Sequence, residues 1–263
     1  MKKRKRFSPN PQLLQILRAC CTNSENDTLK SRITSLTVFA VAMGFLEAAV
    51  VVYLREIFYP EGFSFPLKLM TPYVLFTEYL REIATIVMLF SVSLLGGRNA
   101  PERFAIFLYS FGTWDIFYYL WLKVLLDWPP SLFTWDILFL IPVIWVAPVI
   151  APVICSITMI GIAGCIIYRS QKGYQMSIRA YPCFALIAGA LLIFITFIWD
   201  FSMIIIQEGF AGTLRTLPAD PAFQQIIGQY VPNGFQWPLF IAGESLILIS
   251  LILFCKGVDK KTS

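Results

Sequence analysis

Six apolar stretches, each long enough to cross a lipid bilayer as a helix, dominate this sequence. About 20 residues are needed to span the hydrocarbon at helical rise. The stretches run 33–58, 72–95, 104–125, 137–168, 181–207 and 236–255. Of the 263 residues, 57% are hydrophobic and 14% charged, against about a quarter charged in a soluble domain. One soluble core cannot hide that much apolar surface. The reading is an all-α polytopic membrane protein of six transmembrane helices, preceded by a segment 1–32 and followed by a tail 256–263.

Charge placement predicts the orientation. Eight Lys/Arg precede the first stretch, and Arg98, Arg103, Arg169, Lys172, Arg179, Lys256, Lys260 and Lys261 fall in the even connections or the tail. The odd connections carry only Lys68 and Arg215. By the positive-inside rule both termini are cytoplasmic, and an even number of spans agrees in putting them on one side. The Lys-rich start and compact loops suggest a bacterial inner membrane. This basic residue pattern orients a membrane protein and does not form a nucleic-acid groove.

Two amphipathic helices are expected outside the spans. Leu13, Ile16, Leu17, Cys20 and Cys21 share a stripe behind the basic run Lys2–Arg6, which fits an interfacial helix on anionic lipid. In the long last outer loop, Asp220 and Pro221 are a helix-start signal, and Phe223, Ile226, Ile227 and Tyr230 then fall on one face. This helix reads equally as a cap over the outer mouth or as a surface connector. The fourth stretch is too long for one span and too short for two, and Pro142, Pro148 and Pro152 interrupt it. It is expected to be Pro-broken, with 137–147 a half-helix or re-entrant piece, or else one kinked helix.

The chain has no histidine, so histidine-ligated haem or zinc and His-based catalytic triads are excluded. Its six cysteines have neither zinc-ribbon nor thioredoxin spacing and read as reduced, small core residues. The acids are more informative. Glu47, Glu56, Glu78, Glu82, Asp115, Asp200 and Glu244 lie within or at the edges of spans, against Arg55, Arg81 and Lys123. A charge at mid-membrane costs about 2.5–3.5 kcal/mol even on the lenient insertion scale, so these side chains should face the bundle interior.

Spacing supports that placement. Ala40, Gly44 and Ala48 form a small-residue stripe with Glu47 on the same side. Glu78, Arg81, Glu82 and Thr85 share a face, as do Asp115, Tyr119 and Lys123. The pentapeptide Tyr53-Leu54-Arg55-Glu56-Ile57 recurs at 79–83, and Thr113-Trp114-Asp115-Ile116 recurs at 134–137 with Asp136. The primary candidates for an ion or binding site are Glu47, Glu78, Arg81, Glu82, Asp115, Tyr119, Asp200 and Glu244. Arg55, Glu56, Lys123 and Asp136 are secondary. Glu47, with no base within four positions, is the expected proton-coupling group, whereas Glu102 is expected to be a bystander on a cytoplasmic loop.

Three functions fit these residues. The first is an acid-lined outer cavity that binds or passes a cation or a proton-linked small solute. With oxygen ligands alone it would suit a proton or a hard cation such as Mg²⁺, Ca²⁺ or Mn²⁺. The second is a structural subunit whose buried ion pairs fix helix register, either as a homo-oligomer or with a partner in the membrane. The third is an enzyme acting on a lipid-linked substrate at the outer leaflet, with paired carboxylates as acid and base. No Gly-x-Gly-Asp or Asp-rich motif accompanies these acids.

Overall fold

The computed structural model describes residues 11–172, 174–175, 180–210, 221–256 and 259–260, with side chains described from Leu29 onward except those of Gln175, Pro221, Asp259 and Lys260. Helix α1 runs Pro11–Phe58, α2 Pro72–Gly96 and α3 Ala100–Leu126. Strands β1 (Trp135–Phe139) and β2 (Trp145–Pro148) follow, then α4 (Ile150–Gln171) and α5 (Ala180–Gln207). A short α6 (Pro221–Ile227) precedes α7 (Trp237–Lys256). The two-residue strands β3 (Tyr174–Gln175) and β4 (Asp259–Lys260) pair antiparallel.

Five helical segments are long and apolar enough to cross a membrane: Leu29–Phe58, α2, α4, α5 and α7. The chain is therefore a multi-pass membrane protein. Helix α3 is equally long at 27 residues, but Tyr109, Tyr118, Tyr119, Asp115 and two tryptophans dilute its apolar character. Leu46, Val87, Leu191 and Ile241 project outward from the apolar helices, as side chains solvated by acyl chains should.

Local chemistry sets the ends. Thr71 caps α2, with Pro72 at the first helical position. Asn99 caps α3 by accepting the Glu102 N–H at 2.9 Å, and Glu102 reaches back to the Arg98 N–H at 3.1 Å. This reciprocal arrangement satisfies two orphan donors at once. At the far end of α3, Asp127 adopts the left-handed conformation with φ 52°. Lys123 donates there to the Asp127 and Pro129 carbonyls, at 3.2 and 3.3 Å.

The N-terminal stripe of Leu13 to Cys21 falls in the first part of α1, where side chains lie outside the described residues. The backbone there continues into the apolar segment as one helix, with no break between an interfacial piece and a span. Asp220 and the basic run 2–6 also lie outside the described residues.

The fourth stretch resolves differently from the expected half-helix. Residues 135–148 form an antiparallel hairpin with register Trp135↔Pro148, Asp136↔Ala147 and Ile137↔Val146, and a bulge before Phe139↔Trp145. Aromatic and β-branched residues favour this pleated form over a helix. Pro148 closes β2, and Pro152 sits in the first turn of α4, where a missing N–H costs nothing. The hairpin tucks into the bundle, with Ala147 and Val146 buried and β2 against α5. The fourth stretch is thus a hairpin followed by a helix, and only α4 remains of it as a long helix.

Packing divides the helices into two groups. Helix α3 packs on α1, α2 and α4, while α5 packs on α7. Close approach depends on small residues. A Cβ at Gly112 would meet the Ser156 backbone oxygen of α4 at 2.6 Å. Gly189 and Gly243 face each other across α5 and α7, where a Cβ on either would stand 2.7–2.9 Å from the other's carbonyl oxygen. Ala40 and Ala48 are fully buried, and Gly44 abuts the α3 backbone, so the small-residue stripe is the α1–α3 seam. Cys165 and Cys255 meet between α4 and α7 with sulfurs 3.1 Å apart, a proximity that sequence spacing could not reveal.

Two tests follow from this packing. Gly112→Leu and Gly243→Leu should each cost about 1–3 kcal/mol by overpacking, lowering the thermal midpoint in detergent by several degrees. Gly161→Leu, which meets nothing within 4 Å, should leave the midpoint unchanged. Copper–phenanthroline oxidation should couple Cys165 to Cys255 in membranes, with the disulfide-linked peptide found by mass spectrometry. Absence of that peptide would contradict the α4–α7 packing.

Candidate functional site

A cavity of about 1080 Å³ is lined by residues of all seven helices and of the hairpin. It begins at Lys68–Met70 in the α1–α2 connection and extends down to Phe104 and Leu186. Helices α2 and α5 both line it, yet they pack chiefly on α3 and α7 and not on each other. Its walls are mostly aliphatic and aromatic. Six acids reach it, Glu47, Glu78, Glu82, Asp115, Asp136 and Glu244, against three bases, Arg55, Lys68 and Arg81.

The charges are satisfied unequally. Arg81 of α2 bridges Glu47 of α1 and Glu78 one turn back on its own helix, the latter at 2.6 Å. Thr85 adds a hydrogen bond to Glu47 at 3.5 Å. Glu47 is therefore not the unpaired acid expected from its isolation in sequence: its base comes from the neighbouring helix. Glu82 accepts the Leu140 backbone N–H with both oxygens, at 2.9 and 3.0 Å. That contact pins the end of β1 to α2 and satisfies a donor which lipid would leave bare.

Arg55 pairs with Asp136 at 3.5 Å, both deeply buried, and Tyr119 donates to the other Asp136 oxygen at 3.2 Å. The Arg55 guanidinium lies 3.7 Å from the Trp128 ring centroid and 4.7 Å from that of Phe63, so aromatic faces replace water around it. Asp115 and Glu244 have no basic partner among the described residues. Asp115 accepts from Ser156 at 2.7 Å, and one Glu244 oxygen accepts from Thr158 at 2.9 Å. The second Glu244 oxygen is buried without any hydrogen bond.

Three candidates lie elsewhere. Asp200 accepts from Tyr230 at 2.5 Å and braces the loop after α6. Burial and this hydrogen bond hold the Tyr230 hydroxyl above its ordinary range, so it stays a donor. Glu56 is exposed, whereas its counterpart in the repeated pentapeptide, Glu82, is buried. Lys123 forms a surface pair with Asp127 at 2.7 Å, which keeps that exposed carboxyl below its usual range.

Glu102, expected on a loop, lies in a helix and does not line the cavity. It is buried in the first turn of α3, accepts from Ser170 at 2.8 Å and stands 3.7 Å from Arg32. Residues the sequence analysis passed over include Ser156, Thr158, Trp128 and the Leu140 amide. Ser156 and Thr158 were visible as hydroxyls in an otherwise apolar helix; the other two carry no local signal.

Among the described residues, no group of three or more Asp, Glu or Cys side chains is arranged to hold a metal ion. Comparison with protein-family models, with curated proteins and with solved structures found no match to the chain.

The charge pairing is open to mutational test. Arg81→Met strands Glu47 and Glu78 in the bundle and should cost about 3–5 kcal/mol. Adding Glu47→Gln and Glu78→Gln to it should recover most of the lost thermal midpoint. A separate measurement addresses the hairpin: Glu82→Ala should speed amide hydrogen exchange across 135–148, while Glu82→Gln, which keeps an acceptor, should change it little.

Proposed function

We propose that this protein is a six-span membrane protein, with α3 as its sixth span and both termini cytoplasmic, that binds or passes a cation or a proton-linked small solute. The observation that carries the reading is the imbalance within the cavity. Arg81 and Arg55 answer three of its acids and a backbone amide answers Glu82, while Asp115 and Glu244 keep only hydroxyl partners. A buried carboxylate in low dielectric calls for a counter-charge or a proton. A scaffold needs satisfied ion pairs and gains nothing from a large void beside unsatisfied acids. The break of α4 from its hairpin also fits, because irregular backbone in a membrane is tolerated where it is buried in protein or lines a cavity.

In the purified, detergent-solubilised protein, the thermal midpoint should respond to pH or to at least one cation in a panel of divalent and organic ions. Saturation at 100 times the dissociation constant adds about 2.7 kcal/mol. A midpoint indifferent to pH and to every cation would sink the reading in favour of a structural subunit. Orientation is separately checked by a C-terminal fluorescent fusion, which should mature, and a C-terminal alkaline phosphatase fusion, which should stay inactive.

A further inference from the structure

Most of the cavity's charges are consumed by the fold itself. Arg81, Glu47 and Glu78 join α1 to α2, Glu82 holds the hairpin, and Arg55 with Asp136 ties α1 to β1. Asp115 and Glu244 join nothing of opposite charge. They come from α3 and α7 and each meets α4, Asp115 through Ser156 and Glu244 through Thr158. Cys155, the residue before Ser156, places its thiol within hydrogen-bonding reach of the Glu244 carboxylate and within electrostatic range of Asp115. Glu244 is only 8% exposed, lines the cavity, and leaves one carboxylate oxygen with no N–H or O–H donor, only the weakly donating Cys155 thiol beside it. Such an orphan acceptor costs about 1–3 kcal/mol, more when charged, unless something in the cavity completes it.

What completes it must match the rest of the space. The wall facing α4 is built from Ile187, Ala190, Ile193 and Phe194 of α5, with no charge among them. A hydrated inorganic ion would leave that wall wet and unfilled. An ammonium group carrying an alkyl or aryl body would satisfy both ends, donating to the carboxylates while its apolar part covers the α5 face. Such a molecule partitions into membranes.

Resting on the cation reading above, we infer that Asp115 and Glu244 form the head-group site for a lipophilic ammonium compound whose apolar body lies along α5. The acids of the Arg81 cluster hold the helices and do not touch the ligand's charge.

The test uses the full chain in an uncharged detergent, titrated with hexylammonium chloride. Hexanol serves as the uncharged counterpart and sodium chloride as the inorganic one. Hexylammonium should bind and raise the thermal midpoint, and hexanol and sodium should do neither. Glu244→Gln and Asp115→Asn should each weaken hexylammonium at least tenfold. Because each removes an unpaired buried acid, both variants should unfold no lower than the parent, so lost binding is not lost folding. Glu56→Gln, on the exposed side of α1, should bind as the parent does.

Equal binding of hexanol would overturn the ammonium assignment. Binding that survives Glu244→Gln and Asp115→Asn but falls in Glu47→Gln would overturn the site while leaving the cation reading intact. A response to sodium alone, or to pH alone, would do the same. Indifference to every cation and to pH would overturn both.

Discussion

The structure depends on the absence of water inside a bilayer. A backbone amide or a carboxylate that leaves the aqueous phase must find its partner within the protein, because lipid supplies none. The contact between Glu82 and the Leu140 amide answers both demands at once. It satisfies a charged side chain of α2 and a hairpin donor that has no strand beside it. Remove that partner, and only apolar packing and the Arg55–Asp136 pair hold the hairpin among the helices.

The same constraint sorts the other charges. Arg81 serves two carboxylates from two helices, so α1 and α2 are joined by an ion triad although neither packs principally on the other. Arg55 lies in the corner formed by the Trp128 and Phe63 rings, which take the place of part of its hydration shell. Buried pairs of this kind add little net stability over apolar packing, but their geometry is demanding and selects one arrangement. Small residues do the complementary work at Gly112, Gly189 and Gly243, letting helices approach until backbones touch. This packing is incomplete, and it leaves the cavity that Asp115 and Glu244 line.

Much of the architecture was readable from residue order. The ends of α2, α3, α5 and α7 lie within a few residues of the apolar stretches, because hydrophobic length and capping chemistry are local. Helix α6 starts at Pro221 as the turn chemistry indicates. The fourth stretch was legible only as an interruption. Its prolines announced that a helix could not continue, but nothing local distinguished a half-helix from a hairpin, since the strand pairs exist only once residues 135 and 148 meet.

The repeated pentapeptide marks the boundary between what order determines and what it does not. The sequence by itself determined that this chain lives in a membrane, where its helices lie, and that its acids outnumber its bases there, because hydropathy and charge are properties of residues. Only the tertiary structure decided that Glu82 is buried against an amide while Glu56, in the same five letters, is exposed. It also decided that Glu47 has a base and Glu244 has none. Pairing is a property of distances between helices, and those distances are set by which small residues meet across each seam.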